Sequence, residues 1–119
     1  MTLAKIKYST IEKEWDKIKE IVGKSLPEGF DVDLIKPYLK SNKLQLWNLF
    51  RDKEIVSVAT TFIRRDEILN NRSLIIYTQF NFMELENGLM EVFYGGLKRY
   101  AKENRCGAVI RLLVEEVVE

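Results

Sequence analysis

Between residues 73 and 114 the apolar period changes twice, and that double change restricts the chain more than any single motif. Leu74, Ile75, Ile76 and Tyr77 form a continuous apolar run within residues 73–80, the pattern of a strand covered on both faces. Leu85, Leu89, Val92, Phe93, Gly96, Leu97, Tyr100 and Ala101 then recur at spacings of three and four, the stripe of an amphipathic helix. Asn104 to Gly107 stops the helix, and residues 108–114 are again β-branched and leucine-rich. Strand, helix and strand in this order make two parallel strands joined by a right-handed crossover. Gly95-Gly96 inside the helix lowers its intrinsic stability, which predicts a close approach to the sheet.

The first half follows the same logic with antiparallel partners. Residues 4–8 alternate Lys5, Ile6, Lys7 and Tyr8, as a half-buried edge strand does. Ser9, Thr10 and Glu12 have the capping-box pattern and predict a helix start. Ile11, Trp15, Ile18 and Val22 share one helical stripe, which Gly23 and Pro27 end. Asp31 or Asp33 caps a second, shorter helix through Tyr38 and Leu39, with Pro37 in its first turn. From Leu44 the period becomes two, with Leu44, Leu46 and Asn48 opposing Gln45, Trp47 and Leu49. Arg51-Asp52-Lys53-Glu54 is a polar turn, and residues 55–63, rich in Val, Thr and Phe, complete a β-hairpin. A polar connection over residues 64–72, with Asn70-Asn71, leads into the apolar run. No repeat, linker or low-complexity stretch divides the chain, so residues 1–119 are read as one α+β domain.

Composition limits the chemistry. The 119 residues are long enough to bury roughly 65% of the surface of the unfolded chain, and 46% of them are apolar. Nineteen basic against eighteen acidic residues leave a formal charge of +1, which supplies no broad field for nucleic acid or an anionic membrane. The chain has no histidine and one cysteine, Cys106. Zinc sites, Ser/His/Asp or Cys/His catalysis and an internal disulfide are thereby excluded. The N-terminus lacks the apolar stretch of a signal peptide, and no window approaches the ~18 apolar residues of a membrane helix. The expected location is the cytoplasm.

Strand, helix, helix, three antiparallel strands, long helix and strand resembles the front and middle of the GNAT N-acetyltransferase fold, a mixed sheet with helices on both faces. The hairpin from Leu46 to Ala59 is similar to that family's second and third strands, without the usual glycine in its turn. The resemblance implies that residues 73–80 and the long helix splay from residues 108–114 to open a slot for acetyl-coenzyme A. It implies a pyrophosphate at the helix N-terminus, where unpaired N–H groups and the dipole favour an anion, and Gln79, Phe80, Asn81, Asn87 and Gly88 as the cofactor-binding residues. The family's loop pattern is Gln/Arg-x-x-Gly-x-Gly/Ala. Here the stretch reads Asn81-Phe82-Met83-Glu84-Leu85-Glu86-Asn87-Gly88, with one glycine, no arginine and two carboxylates. Like charges at this range repel by about 1 kcal/mol or more. The family also continues through another helix and two strands, which carry a catalytic tyrosine; this chain is expected to be a truncated member with a degenerate loop.

The leading expectation is therefore a non-catalytic GNAT-like binding or structural module, with no cofactor, working through a protein partner or self-association. Small members of this fold occur among phage proteins, which makes a virion an alternative location. The rival is an acetyl-coenzyme A dependent N-acyltransferase acting on a protein or small-molecule amine, and the third an unrelated α+β ligand-binding fold. For catalysis the candidates are Glu84 and Glu86 as bases, read otherwise as solvated first-turn acids, and Tyr94 as proton donor. Tyr94 lies off the helix stripe and is expected at the surface, whereas Tyr100 lies on it and is expected in the core. Residues 77–79 are expected to hold the acceptor amine. Candidate partner contacts are Trp47, which points opposite to Leu46, and Arg64, Arg65 and Arg72, interrupted by Asp66 and Glu67. Cys106 is expected to pack, with no helix dipole to activate it. Residues 108–118 are expected to form an edge open to strand addition.

Overall fold

The computed structural model of the chain describes residues 1–112 and 116–117. One six-stranded sheet in the order β1-β2-β3-β4-β5-β6 runs through it. Its strands are β1 (Thr2–Lys5), β2 (Gln45–Arg51), β3 (Glu54–Asp66), β4 (Asn71–Asn81), β5 (Ala108–Arg111) and β6 (Glu116–Val117). All neighbours are antiparallel except β4 and β5, the pair joined through the long helix. The helices are α1 (Tyr8–Lys13), α2 (Trp15–Gly23), α3 (Lys36–Lys40) and α4 (Asn87–Glu103), with a 3-10 turn at Val32–Ile35 before α3.

The sheet separates two cores, and the alternation of β2 assigns its residues between them. Leu46 joins Ile11, Ile18, Val22, Ile35, Leu39, Leu44 and Val58 under the first three helices. Trp47 and Leu49 face the other way, onto Leu89, Phe93, Leu97 and Ala101 of α4. Covering both faces buries Leu74, Ile75 and Ile76 completely or nearly so, which accounts for the continuous apolar run in β4.

Local departures from the sequence reading have local causes. β1 begins at Thr2 and ends at Lys5, so Ile6 lies beyond the strand and Tyr8 is already helical. The helix starts at Tyr8, its N-cap is Lys7 with no side-chain bond, and the Ser9 capping box is not formed. Glu14, at φ −115° and ψ 28°, breaks the expected single helix into α1 and α2, yet Ile11, Ile18 and Val22 stay on one buried stripe. Asp31 is the cap chosen from the two candidates, accepting from the Asp33 N–H at 3.1 Å. Asp33 instead accepts from Trp15 Nε1 at 2.7 Å and pairs with Lys19 at 3.5 Å. The β2–β3 turn manages without glycine because Asp52 adopts φ 56°, a conformation that aspartate tolerates better than most residues. β6 pairs Val117 with Ile110 and Glu116 with Arg111, so β5 is not the bare edge that residues 108–118 were expected to offer. Residues 113–115 and 118 of that expectation lie outside the described residues.

The two helix glycines are not equivalent. A Cβ on Gly96 would lie 2.6 Å from Leu3 Cδ2 and 3.3 Å from Leu3 Cβ, whereas one on Gly95 would meet nothing within 4 Å. Gly96 is thus the point where α4 approaches β1. Gly95→Ala should stabilise the fold by about 0.5–1 kcal/mol through helix propensity, and Gly96→Ala should lower the melting temperature; equal shifts for both variants would contradict this contact.

Candidate cofactor cleft

The parallel pairing of β4 with β5 runs from Ser73–Ala108 to Ile76–Arg111, and the Leu112 N–H adds one bond to the Ile76 carbonyl at 3.1 Å. β4 continues to Asn81 without β5 beside it. At the same place the β3–β4 ladder shifts, because Thr60 pairs with Thr78 and Thr61 with Ile76. Tyr77 is the extra residue of this bulge, and a bulge leaves its residue's ladder bonds unmade.

The opening is a cleft of about 410 Å³ lined by Ile76, Tyr77, Thr78, Gln79 and Asn81 of β4, Leu85, Met90 and Tyr94 beside and on α4, and Arg111 of β5. That volume lies within the range of small-ligand sites. Ser57 Oγ, fully buried, donates to Asn81 Oδ1 at 2.6 Å, and Gln79 Nε2 donates to the same oxygen at 3.1 Å. The Asn81 amide is thereby oriented with its oxygen occupied. Arg111 lies over the Tyr94 ring, 5.4 Å from its centroid.

The structure distributes the candidate residues unevenly. Gln79, Asn81 and Tyr94 meet in the cleft. Tyr94 is half-buried there, which corrects the surface reading: β5 and its arginine cover the helix face beside the main stripe. Phe80 does not line the cleft; its ring packs edge-on against Phe82. Asn87 and Gly88 begin α4, and Met1 lies against Gly88. Glu84 is exposed and does not line the cleft. Glu86 is the N-cap residue without a side-chain cap bond; its carboxylate lies 3.9 Å from Arg51 Nη1. Neither glutamate stands within the cleft as a base.

Trp47 is 5% exposed. Its indole donates to Thr61 Oγ1 at 2.8 Å, Thr61 donates to Gln45 Oε1 at 2.9 Å, and its ring meets Tyr100 edge-on at 5.1 Å. The partner-surface reading of Trp47 is corrected: α4 covers this face of β2. Arg64 and Arg65 are exposed, and Arg65 stands opposite Arg72 in the ladder. Arg72 Nη1, however, donates to the Asn104 carbonyl at 3.1 Å, so this arginine serves the C-terminal end of α4, where a cation and a donor are both favourable. Cys106 packs beside the α4 core. Burial pushes its thiol up from the ordinary range, against a smaller opposing pull from Arg72, and the protonated thiol is a poor nucleophile.

Two features escaped the sequence reading. Arg111 was visible as the lone charge in the apolar stretch 108–114, but only the strand pairing turns it to the cleft. A second, apolar groove of about 790 Å³ lies on the α3 side, lined by Phe30, Leu34, Tyr38, Phe62 and Tyr77 among others. Its residues come from three separated segments. Tyr77 borders both openings.

Among the described residues the sheet is mixed, with one parallel pair beside a long crossover helix, and the fold is α+β. Comparison with solved structures shows that GNAT acetyltransferases share this fold. AAC(6')-Iy, in complex with the bisubstrate analogue CoA-S-monomethyl-acetylneamine, superposes with a TM-score of 0.70 at 12% identity, over 92% of this chain and 76% of that one. A GNAT family acetyltransferase from Staphylococcus aureus gives 0.64 at 15% identity, over 93% and 86%. A predicted acetyltransferase from Clostridium acetobutylicum, with acetyl-CoA, gives 0.62 at 15% identity, over 93% and 79%. No family model matches the sequence, and no curated protein matches it. Among the described residues no helix is long and apolar enough to cross a membrane.

The arginines separate by variant. Arg72→Gln should cost about 0.5–1.5 kcal/mol in chemical denaturation through the lost bond to Asn104, while Arg64→Gln and Arg65→Gln should each stay within about 0.5 kcal/mol of the parent. Equal losses at all three would contradict the helix-end role of Arg72.

Proposed function

We propose that the chain is an N-acyltransferase that takes a coenzyme A thioester in the cleft between β4 and β5 and an amine acceptor from the α3 side. The observation that carries this reading is the cleft itself: β4 leaves β5 after Ile76, Tyr77 is unpaired in the bulge, and Tyr94 lies in the same opening. Bound there, the thioester would supply an activated acyl carbon. Unmade backbone bonds at Tyr77 give the carbonyl oxygen or the incoming amine a fixed polar partner. The amine nitrogen forms a bond to the acyl carbon as the carbon–sulfur bond breaks. In this reading Tyr94 gives its hydroxyl proton to the departing thiolate, and the proton lost by the amine passes to water. The groove formed by Phe30, Leu34, Tyr38 and Phe62 accommodates the apolar part of an acceptor whose amine reaches Tyr77.

The second reading, a non-catalytic binding module, is favoured by one specific observation. Glu84 and Glu86 stand at the head of α4 where the fold would receive phosphate, and the loop offers no arginine. In that reading the apolar groove serves a protein partner or a second copy of the chain.

A ligand that binds only the folded state stabilises it by about 2.7 kcal/mol at a hundred times its dissociation constant. Acetyl-coenzyme A should therefore raise the melting temperature saturably by several degrees, and an amine should then release free thiol. Tyr94→Phe should slow that release at least about tenfold while retaining the thermal shift. A flat melt at millimolar acetyl-coenzyme A would leave the binding-module reading in its place.

A further inference from the structure

The loop before α4 carries no basic residue and Arg51, at the helix head, is paired with Glu86, yet the cleft has a cation of its own. Among the described residues Arg111 is the only charged one in its lining. β5 carries it opposite Ile76, where the two strands part, and on the side of the sheet that faces Tyr94 of α4. It is half-buried, and a cation in a partly enclosed recess acts through a lower effective dielectric than one on an open surface. Its contact with the Tyr94 ring is a weak one that a bidentate bond to an oxyanion outcompetes. Among the described ion pairs none involves Arg111; Glu116 stands opposite it in the β5–β6 register, and Glu116→Gln is accordingly included among the variants below.

The rest of the cleft agrees in sign. Asn81 has its side-chain oxygen taken by Ser57 and Gln79, so the part of the amide left for a ligand is its N–H donor pair. Glu86 is drawn aside to Arg51, which offsets one of the two carboxylates near the entrance. The cleft thus offers a guanidinium and an amide donor, and neither Glu84 nor Glu86 is in its lining.

We propose that Arg111 is the anion anchor of this cleft: its guanidinium grips a phosphate of the bound thioester, in place of the basic loop that the chain lacks. This rests on the acyltransferase reading above. It adds a ligand-binding role for a residue of β5, and it selects phosphate-bearing thioesters over neutral pantetheine conjugates. The position of Arg111 also admits a second source for the same chemistry, a carboxylate at the far end of the acyl group.

Calorimetric titrations of the full chain with coenzyme A, acetyl-coenzyme A, succinyl-coenzyme A and pantetheine separate these cases. Arg111→Gln should weaken coenzyme A and acetyl-coenzyme A about tenfold or more, as loss of a charge-assisted bond implies, and leave pantetheine unchanged. Arg111→Lys should recover part of the loss, and Glu116→Gln should not weaken coenzyme A. The salt dependence of coenzyme A binding should flatten in Arg111→Gln. Equal binding by the parent and Arg111→Gln, or an equal loss for pantetheine, would overturn the anchor. So would tighter binding of succinyl- than acetyl-coenzyme A by the parent and not by Arg111→Gln, because the charge would then serve the acyl group. A parent protein that binds no coenzyme A contradicts the acyltransferase reading as a whole, whereas parental binding that Arg111→Gln keeps contradicts only the role of Arg111.

Discussion

The short parallel ladder from Ser73–Ala108 to Ile76–Arg111 is the constraint from which the functional part of the molecule follows. Two strands can run parallel as neighbours only if the chain returns across the sheet between them, and here α4 makes that return. The helix covers Trp47, Leu49, Leu74 and Ile76, and its first turn ends up beside the end of β4 that has no parallel partner among the described residues. Among the described residues the ladder ends at Ile76 while β4 runs on to Asn81, and the cleft lies beside that further stretch of β4. The Tyr77 bulge at the same level turns the free stretch of β4 away from strict alternation, so Tyr77 borders both the cleft and the apolar groove.

Covering the sheet on both faces holds this geometry in place. Leu46 and Trp47, adjacent in β2, belong to opposite cores, and the indole N–H of Trp47 is satisfied inside by Thr61, which in turn bonds Gln45. Buried polar groups of this kind cost stability when unpaired, and the Gln45–Thr61–Trp47 chain shows how a largely apolar face carries them. Gly96 lets α4 close onto Leu3 of β1 at one side of the sheet, while the Arg72 bond to Asn104 fastens the other end of the helix to β4.

Much of this was legible because apolar period reports directly on burial. The stripe from Leu85 to Ala101 gave α4 to within two residues of its start, and the unbroken run from Leu74 to Tyr77 identified the central strand. Events that depend on single backbone angles were not legible: the break at Glu14, the unused Ser9 cap and the extra residue at Tyr77 leave no mark in residue type. The site was half visible. Gln79, Asn81 and Tyr94 could be named from the resemblance to the GNAT fold, but Phe80 alternates away from the cleft and Trp47 is covered by a helix whose position no local pattern gives. Arg111 required the β4–β5 register, a contact between residues far apart in the chain, before its charge could be placed.

The central claim is that the gap between β4 and β5 is the ligand site of this domain. Backbone amide shifts measured by NMR during titration with coenzyme A test it most directly, because they report each residue without requiring turnover. The account predicts changes concentrated at residues 77–81, 85–89 and 111, with the α1–α3 side left largely unmoved. Changes confined to Phe30, Leu34 and Tyr38, or spread without pattern over the surface, would contradict it.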